Sequence, residues 1–264
     1  MQSRDNTTVQ SVDRAIRLLE KIAENPGSSL GSSELANHIS VDKSSAFRLL
    51  ATLANHDLVR QDESRKGYCL GYGIFSLAGA LRDQTKITDI VSPFLKSLAQ
   101  KTHENAHLAV KSGTRAVFID RERAANTIAA NTSIGDSEEL YCTAVGKSLI
   151  CNLSEEELSD LLAPVEFRKY TEDTIVDLAS IEKEIRQVER RGYAYDLGEY
   201  ENHVYCIASP IFDFEGKIEA AIGISGPKDR MLPELERFTH EVLQAGREIS
   251  RILGSRRSIT NEKG

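Results

Sequence analysis

Residues 33–71, SELANHISVDKSSAFRLLATLANHDLVRQDESRKGYCLG, constrain this chain more than any other stretch. They read as a short helix, a tight turn, a second helix carrying small hydroxyls, and a hairpin with a basic tip. That succession is what a winged helix-turn-helix needs to lay one helix in the major groove of DNA. Upstream, Ser11 is a candidate N-cap, and Val12, Ala15, Ile16, Leu19, Ile22 and Ala23 recur at helical spacing, which predicts an apolar stripe over residues 12–24. Pro26-Gly27 ends that helix.

Ser32 or Ser33 is expected to cap the next helix, with Leu35, Ala36 and Ile39 as its apolar side. Asp42 is expected to cap a third helix over residues 43–56, burying Ala46, Phe47, Leu49, Leu50 and Leu53. Its other face presents Lys43, Ser44, Ser45, Arg48 and Thr52. Short hydroxyls permit close approach to a groove, and an arginine one turn on reaches a guanine edge or a phosphate. A solvated helix surface looks the same in isolation, but the hairpin that follows favours DNA. Its strands are expected at 58–61 and 67–70, with Arg65 and Lys66 at the tip, where a wing meets phosphate or the minor groove.

A net charge of −7 over 264 residues looks unsuited to a DNA binder, but its distribution answers the objection. Residues 1–70 carry nine basic and nine acidic side chains, so all the net acidity lies beyond them. The length suits two domains. No run of 18 apolar residues and no apolar leader is present, so a cytoplasmic protein without membrane contact is expected. Cys69, Cys142, Cys151 and Cys206 show no zinc spacing and are expected to be free thiols.

The pattern turns helical from Gly71, predicting a linker helix over 72–88 that serves either as a plain connector or as a dimer contact and lever. Residues 89–254 read as α+β: strands at 106–110, 116–119 and 127–130, a glycine-containing loop at 133–139, and a helix starting near Ala144. Helices at 155–162 and 175–191 follow, then strands at 193–195 and in VYCIASPIFDF and KIEAAIGISG around a Glu215-Gly216 turn, and a last helix over about 234–253. This order suits a central antiparallel sheet flanked by helices. The basic tail, 255–264, is expected to be disordered.

Six segments, SVDRAIRLLEKIAE, SELANHISVDKSSAFRLLATL, HLAVKSGTRAVFID, CTAVGKSLI, RGYAYD and CIASPIFDFEGKIEAAIGISGP, resemble the IclR family of bacterial transcriptional regulators in order and spacing. The resemblance implies a winged helix-turn-helix over 1–71, the linker helix, and a GAF-like effector domain over 89–254. It also implies homodimers that can pair into tetramers, a palindromic double-stranded operator, and repression or sometimes activation controlled by a small organic-acid effector. By position it implies an effector pocket of Thr143, Ala144, Val145, Gly146, Asp196, Cys206, Gly223 and Ser225. Amides at a helix N-terminus suit a carboxylate without an arginine.

The chain departs from the family around that pocket. It carries Glu138-Glu139-Leu140 where the family often has a proline and a basic or small residue, which argues against a highly anionic ligand. It carries His203-Val204-Tyr205 where Gly-x-Arg is common, and Tyr205 points to an aromatic or sugar-derived acid. The competing reading is a small-acid hydrolase using Cys142 or Cys206, with His103, His107 or His203 as base and the N-terminal module serving assembly. No nucleophile signature accompanies those residues, and GISG is not a G-x-S-x-G elbow. His103 and His107 have a helical ligand spacing, yet His107 falls in an expected strand. No enzyme activity, metal or cofactor is expected.

Overall fold

A computed structural model describes residues 8–25, 29–62, 66–84, 86–124 and 132–256. The chain separates into two compact units between Lys86 and Ile87. The first contains α1 (Gln10–Ala23), α2 (Ser32–His38), α3 (Lys43–Asn55), a hairpin of β1 (Val59–Asp62) and β2 (Gly67–Leu70), and α4 (Gly73–Gln84). Leu18, Ile22, Leu35, Ile39, Leu50, Val59 and Tyr68 close its core. Asp42 caps α3 by accepting the Ser45 amide at 2.9 Å. The strands pair Val59 with Leu70 and Asp62 with Gly67, so the wing is one antiparallel hairpin.

Several local expectations are corrected. Helix α1 starts behind Val9, so Ser11 lies inside the helix, and α2 starts behind Gly31, so neither Ser32 nor Ser33 caps it. Val12 and Ile16 are half exposed, and only Leu18 and Ile22 of α1 are buried. The unit's core spans little more than one turn of this helix, so its stripe is narrower than its run of apolar residues. Phe47 is 58% exposed. Ala46, Leu50 and Leu53 form the buried i, i+4, i+7 row of α3, whereas Phe47 aligns with Lys43 and Ala51 on the other side. Three-residue spacing from Leu50 satisfies a periodicity test without facing the core.

The second unit is α+β. Its six-stranded antiparallel sheet runs β5 (Ser137–Glu139), β4 (Arg115–Glu122), β3 (Asn105–Ser112), β8 (Ile218–Pro227), β7 (Val204–Phe212) and β6 (Ala194–Leu197). Against one face lie α5 (Ile87–Thr102) and α10 (Leu235–Ile252), which follows α9 (Lys228–Met231) and a short 3-10 turn. Against the other lie α6 (Ala144–Ile150), α7 (Glu155–Leu162) and α8 (Leu178–Arg191). Ser154 and Glu157 form a reciprocal capping box at the start of α7. The loop expected at 133–139 contributes an edge strand, β5, too short and polar to show alternation. The strand expected at 127–130 and residues 257–264 of the tail lie outside the described residues.

Strand alternation sorts side chains by size. Leu108, Ile207, Ile222 and Ile224 face α5 and α10, whereas Ala109, Ala208 and Ala221 face α6 to α8. On that small-residue face Gly223 lies in register between His107 and Ala208. A β-carbon there would meet the Ile207 carbonyl at 2.6 Å, Ala208 Cβ at 3.0 Å and His107 Nε2 at 3.2 Å. Gly223→Ala is therefore expected to destabilise the protein by about 1–3 kcal/mol through overpacking, read as a lower urea midpoint.

Candidate functional site

In the first unit, α3 presents Lys43, Ser44, Arg48 and Thr52 to solvent, with Phe47 among them. Ser45 is only partly exposed, and its hydroxyl donates to Asp42 Oδ2 at 2.7 Å, so that donor is engaged within the cap. These hydrogen bonds from the Ser45 hydroxyl and amide hold the Asp42 carboxyl down to about 2. The Thr52 hydroxyl turns back onto the Arg48 carbonyl at 2.9 Å. At the wing, Lys66 is exposed with φ of 52°, while Arg65 lies outside the described residues. Phe47 is the member of this surface that hydrophobic spacing hid.

In the second unit, a cavity of about 280 Å³ lies on the small-residue face of the sheet. Thr143, Ala144, Val145, Asp196, Cys206 and Ser225 all line it. Gly146 and Gly223 do not. A β-carbon on Gly146 would meet the Glu139 carbonyl at 2.5 Å and Leu140 Cα at 2.6 Å, so its place is one of close packing, like that of Gly223. The Gly146 amide donates to Thr143 Oγ1 at 3.1 Å, capping α6. Ala144 and Val145 line the cavity, and their amides lie before the first intrahelical donor, Lys147.

The rest of the wall comes from residues outside the positional pocket. His107 and Phe118 contribute from the sheet; Asp136, Ser137 and Glu138 come from β5 and its approach; Tyr200 and Glu201 come from the segment joining β6 to β7, and Val204 starts β7. His107 packs edge-on to Phe118 with ring centroids 5.2 Å apart. Strand alternation opposite Leu108 is the signal that places His107 on this face. Tyr205 belongs to the core on the opposite face, beneath Lys228, and does not line the cavity. The side chain read as a specificity hint is a packing residue.

Behind the wall lies a polar knot. Asp196 Oδ1 accepts the amides of Gly198 at 3.1 Å and Glu199 at 2.6 Å, turning the chain just after β6. Lys147, 1% exposed on α6, pairs with Glu199. Thr171 and Thr174 donate to the Gly198 and Glu199 carbonyls at 2.7 and 2.6 Å.

Burial pushes the Glu138 carboxyl up to about 7, with Asp196 and Glu201 adding to the rise and Arg115 opposing it. Burial likewise raises Asp196 to about 6 and Glu199 to about 7, both against the pull of Lys147. Burial holds His107 down to about 4, leaving it neutral. The Cys206 thiol is raised by burial and then by the carboxylates of Asp196 and Glu138, and burial also raises Cys142. A nucleophilic cysteine needs the opposite surroundings. Among the described residues no three His, Cys, Asp or Glu side chains converge to hold a metal, and no helix is long and apolar enough to cross a membrane.

An exposed helix-turn-helix face with a wing, and a separate unit built around a polar cavity, define a DNA-binding regulator. The chain belongs to the IclR family of bacterial transcriptional regulators: residues 11–63 match the IclR helix-turn-helix domain and residues 80–251 match the domain described as bacterial transcriptional regulator IclR C-terminal. It is 30% identical over 248 residues to the HTH-type transcriptional repressor AllR of Klebsiella pneumoniae, covering 93% of this chain and 90% of AllR. The crystal structure of the Agobacterium tumefaciens repressor BlcR is similar with a TM-score of 0.79 at 25% identity, over 96% of this chain and 100% of BlcR. Thermotoga maritima IclR is similar with a TM-score of 0.61 at 30% identity, over 92% of this chain and 98% of that one. Family and relatives are transcriptional regulators, not enzymes, and so is this protein.

The Glu138 shift sets a pH dependence. Its folded value lies above the ordinary 4.5, so the native state keeps a proton that the unfolded chain releases between pH 4.5 and about 7. Stability is lost as pH rises through that window. Asp196 and Glu199 act in the same direction, and His107 acts oppositely below its ordinary 6.5. Glu138→Gln removes the first contribution, together with the repulsion between Glu138 and Asp196. The variant is expected to match the parent at pH 4 and to exceed it by about 1–2 kcal/mol at pH 8, a figure discounted for partial exposure, in paired urea titrations.

Proposed function

We propose that this protein is a metabolite-responsive repressor that binds a palindromic operator as a homodimer or homotetramer. The observation that carries the reading is the polar cavity in the second unit of a chain whose first unit is a helix-turn-helix. In this reading α3 enters the major groove with Lys43, Ser44, Phe47, Arg48 and Thr52 toward DNA, and Ser45 maintains the cap that shapes its first turn. Arg48 reads a base edge, Phe47 offers an apolar contact of the kind that suits a thymine methyl, and Lys66 with Arg65 meets phosphate from the wing.

Exposed apolar side chains support self-association: the row Val9, Val12 and Ile16 on and just ahead of α1, and the stacked pair Tyr72 and Phe75 at the start of α4. The segment over 72–88 then acts as the linker between the reader of 1–71 and the effector domain of 89–254. Two readers in one dimer imply half-sites roughly 10 bp or a multiple apart.

The effector is a small molecule bound in the cavity of Thr143, Ala144, Val145, Asp196, Cys206 and Ser225. A carboxylate on it is served by the Ala144 and Val145 amides. It releases or tightens the operator only through different affinities for the two arrangements of the readers. The names of AllR and BlcR as repressors support repression here. Footprinting on the upstream region of the protein's own gene tests the reading, and the absence of a protected palindrome at modest salt overturns it.

Arg48→Ala is expected to weaken binding to that operator by about 1–3 kcal/mol while leaving non-specific DNA nearly unchanged, measured by fluorescence anisotropy. Lys66→Ala is expected to weaken all sequences alike and to reduce the salt slope by about 0.9, as one lost phosphate contact requires.

A further inference from the structure

Four carboxylates border the cavity, those of Asp136, Glu138, Asp196 and Glu201, and no lysine or arginine is among the described residues that line it. The cations nearby are engaged elsewhere. Arg115 pairs with Glu139 and donates to the Ser137 carbonyl, Lys147 pairs with Glu199, and Arg121, cross-strand from His107, donates to the carbonyl of Thr132 in the cavity wall. Residues 125–131, outside the described set, include no basic side chain.

Acidity alone would define no site, but two further side chains point into the same space. His107 is 6% exposed and Ser225 is 5% exposed; both line the cavity, and neither makes a hydrogen bond among the described residues. Their polar groups are therefore open to whatever fills the cavity. Glu138 and Asp196 face that space too, and Asp196 spends only its Oδ1 on the backbone turn. An anionic ligand would add to their mutual repulsion, whereas a cation relieves it.

We propose that the cavity takes a small amine-bearing molecule, its protonated nitrogen between Glu138 and Asp196 and its remaining polar end on His107 and Ser225. The proposal rests on the reading of the cavity as the effector site and adds the charge class of the effector. A carboxylate on the same molecule is compatible with it, so amino acids and related zwitterions belong to the class, while plain hydroxy and oxo acids do not.

Thermal unfolding of the full-length protein, with ionic strength matched by NaCl, tests this with two pairs of small probes: methylammonium against acetate, and glycine against glycolate. At 50 mM the nitrogen-bearing member of each pair is expected to raise the Tm by about 2–4 °C, and its partner by less than half as much. Glu138→Gln is expected to abolish the difference, and Glu156→Gln on the exposed face of α7 to preserve it. Equal shifts within the pairs, a larger shift with acetate or glycolate, no shift with any probe, or a difference that survives Glu138→Gln each overturn the amine assignment. Operator affinity measured with the same probes separates the two readings. A nitrogen-specific shift without any change in operator binding overturns the effector reading and leaves the ligand class standing; operator release by acetate or glycolate does the reverse.

Discussion

The cavity depends on a buried lysine. Lys147 sits on α6 with its ammonium sealed from water, and such a charge is tolerated only beside an opposite one. Glu199 supplies it, from the turn that Asp196 ties by its amide hydrogen bonds, while Thr171 and Thr174 hold the same turn from outside. One ion pair thereby fixes the helix whose first residues form one wall to the segment whose Asp196, Tyr200 and Glu201 form another. Glu199 Oε2 is left buried without a hydrogen bond, so the pair is not fully satisfied. Its value lies in position more than in stability, since a well-packed apolar pair of similar volume would hold the elements together at least as well.

Residue size on the two faces of the sheet decides where open space remains. Isoleucine and leucine fill the face under α5 and α10, and alanine, glycine, cysteine and serine line the face under α6. Small side chains on that face leave the cavity open, while Gly146 lets α6 pack closely against the backbone of Glu139 and Leu140. Around that cavity, burial raises the carboxyls and lowers the imidazole, so the wall is acidic in composition yet able to hold protons near neutrality.

Much of the fold was legible in order. The Asp42 cap, the wing strands, the paired strands around Glu215-Gly216 and the final helix all follow from local chemistry: a side chain that accepts an amide, alternation at period two, a turn that needs glycine. Burial was less legible. Val12, Ile16 and Phe47 satisfy a helical apolar pattern and yet face outward, because spacing fixes an angle around the helix but not how much of it a small core covers. Nothing next to Lys147 in sequence announces its partner Glu199, 52 positions away.

The sequence by itself determined the class of molecule: a helix-turn-helix with a wing, an α+β second unit, and a family whose motifs place Thr143, Asp196, Cys206 and Ser225 near one another. Each of those rests on contacts close in sequence or on a motif read residue by residue. Only the tertiary structure decided that Gly146 and Gly223 serve packing, that Tyr205 lies in the core, and that His107, Glu138 and Glu201 share the cavity with Asp196. Those facts depend on which strands are neighbours and in what register. Register is a property of the whole sheet, settled when distant strands find the pairing that buries their larger side chains together.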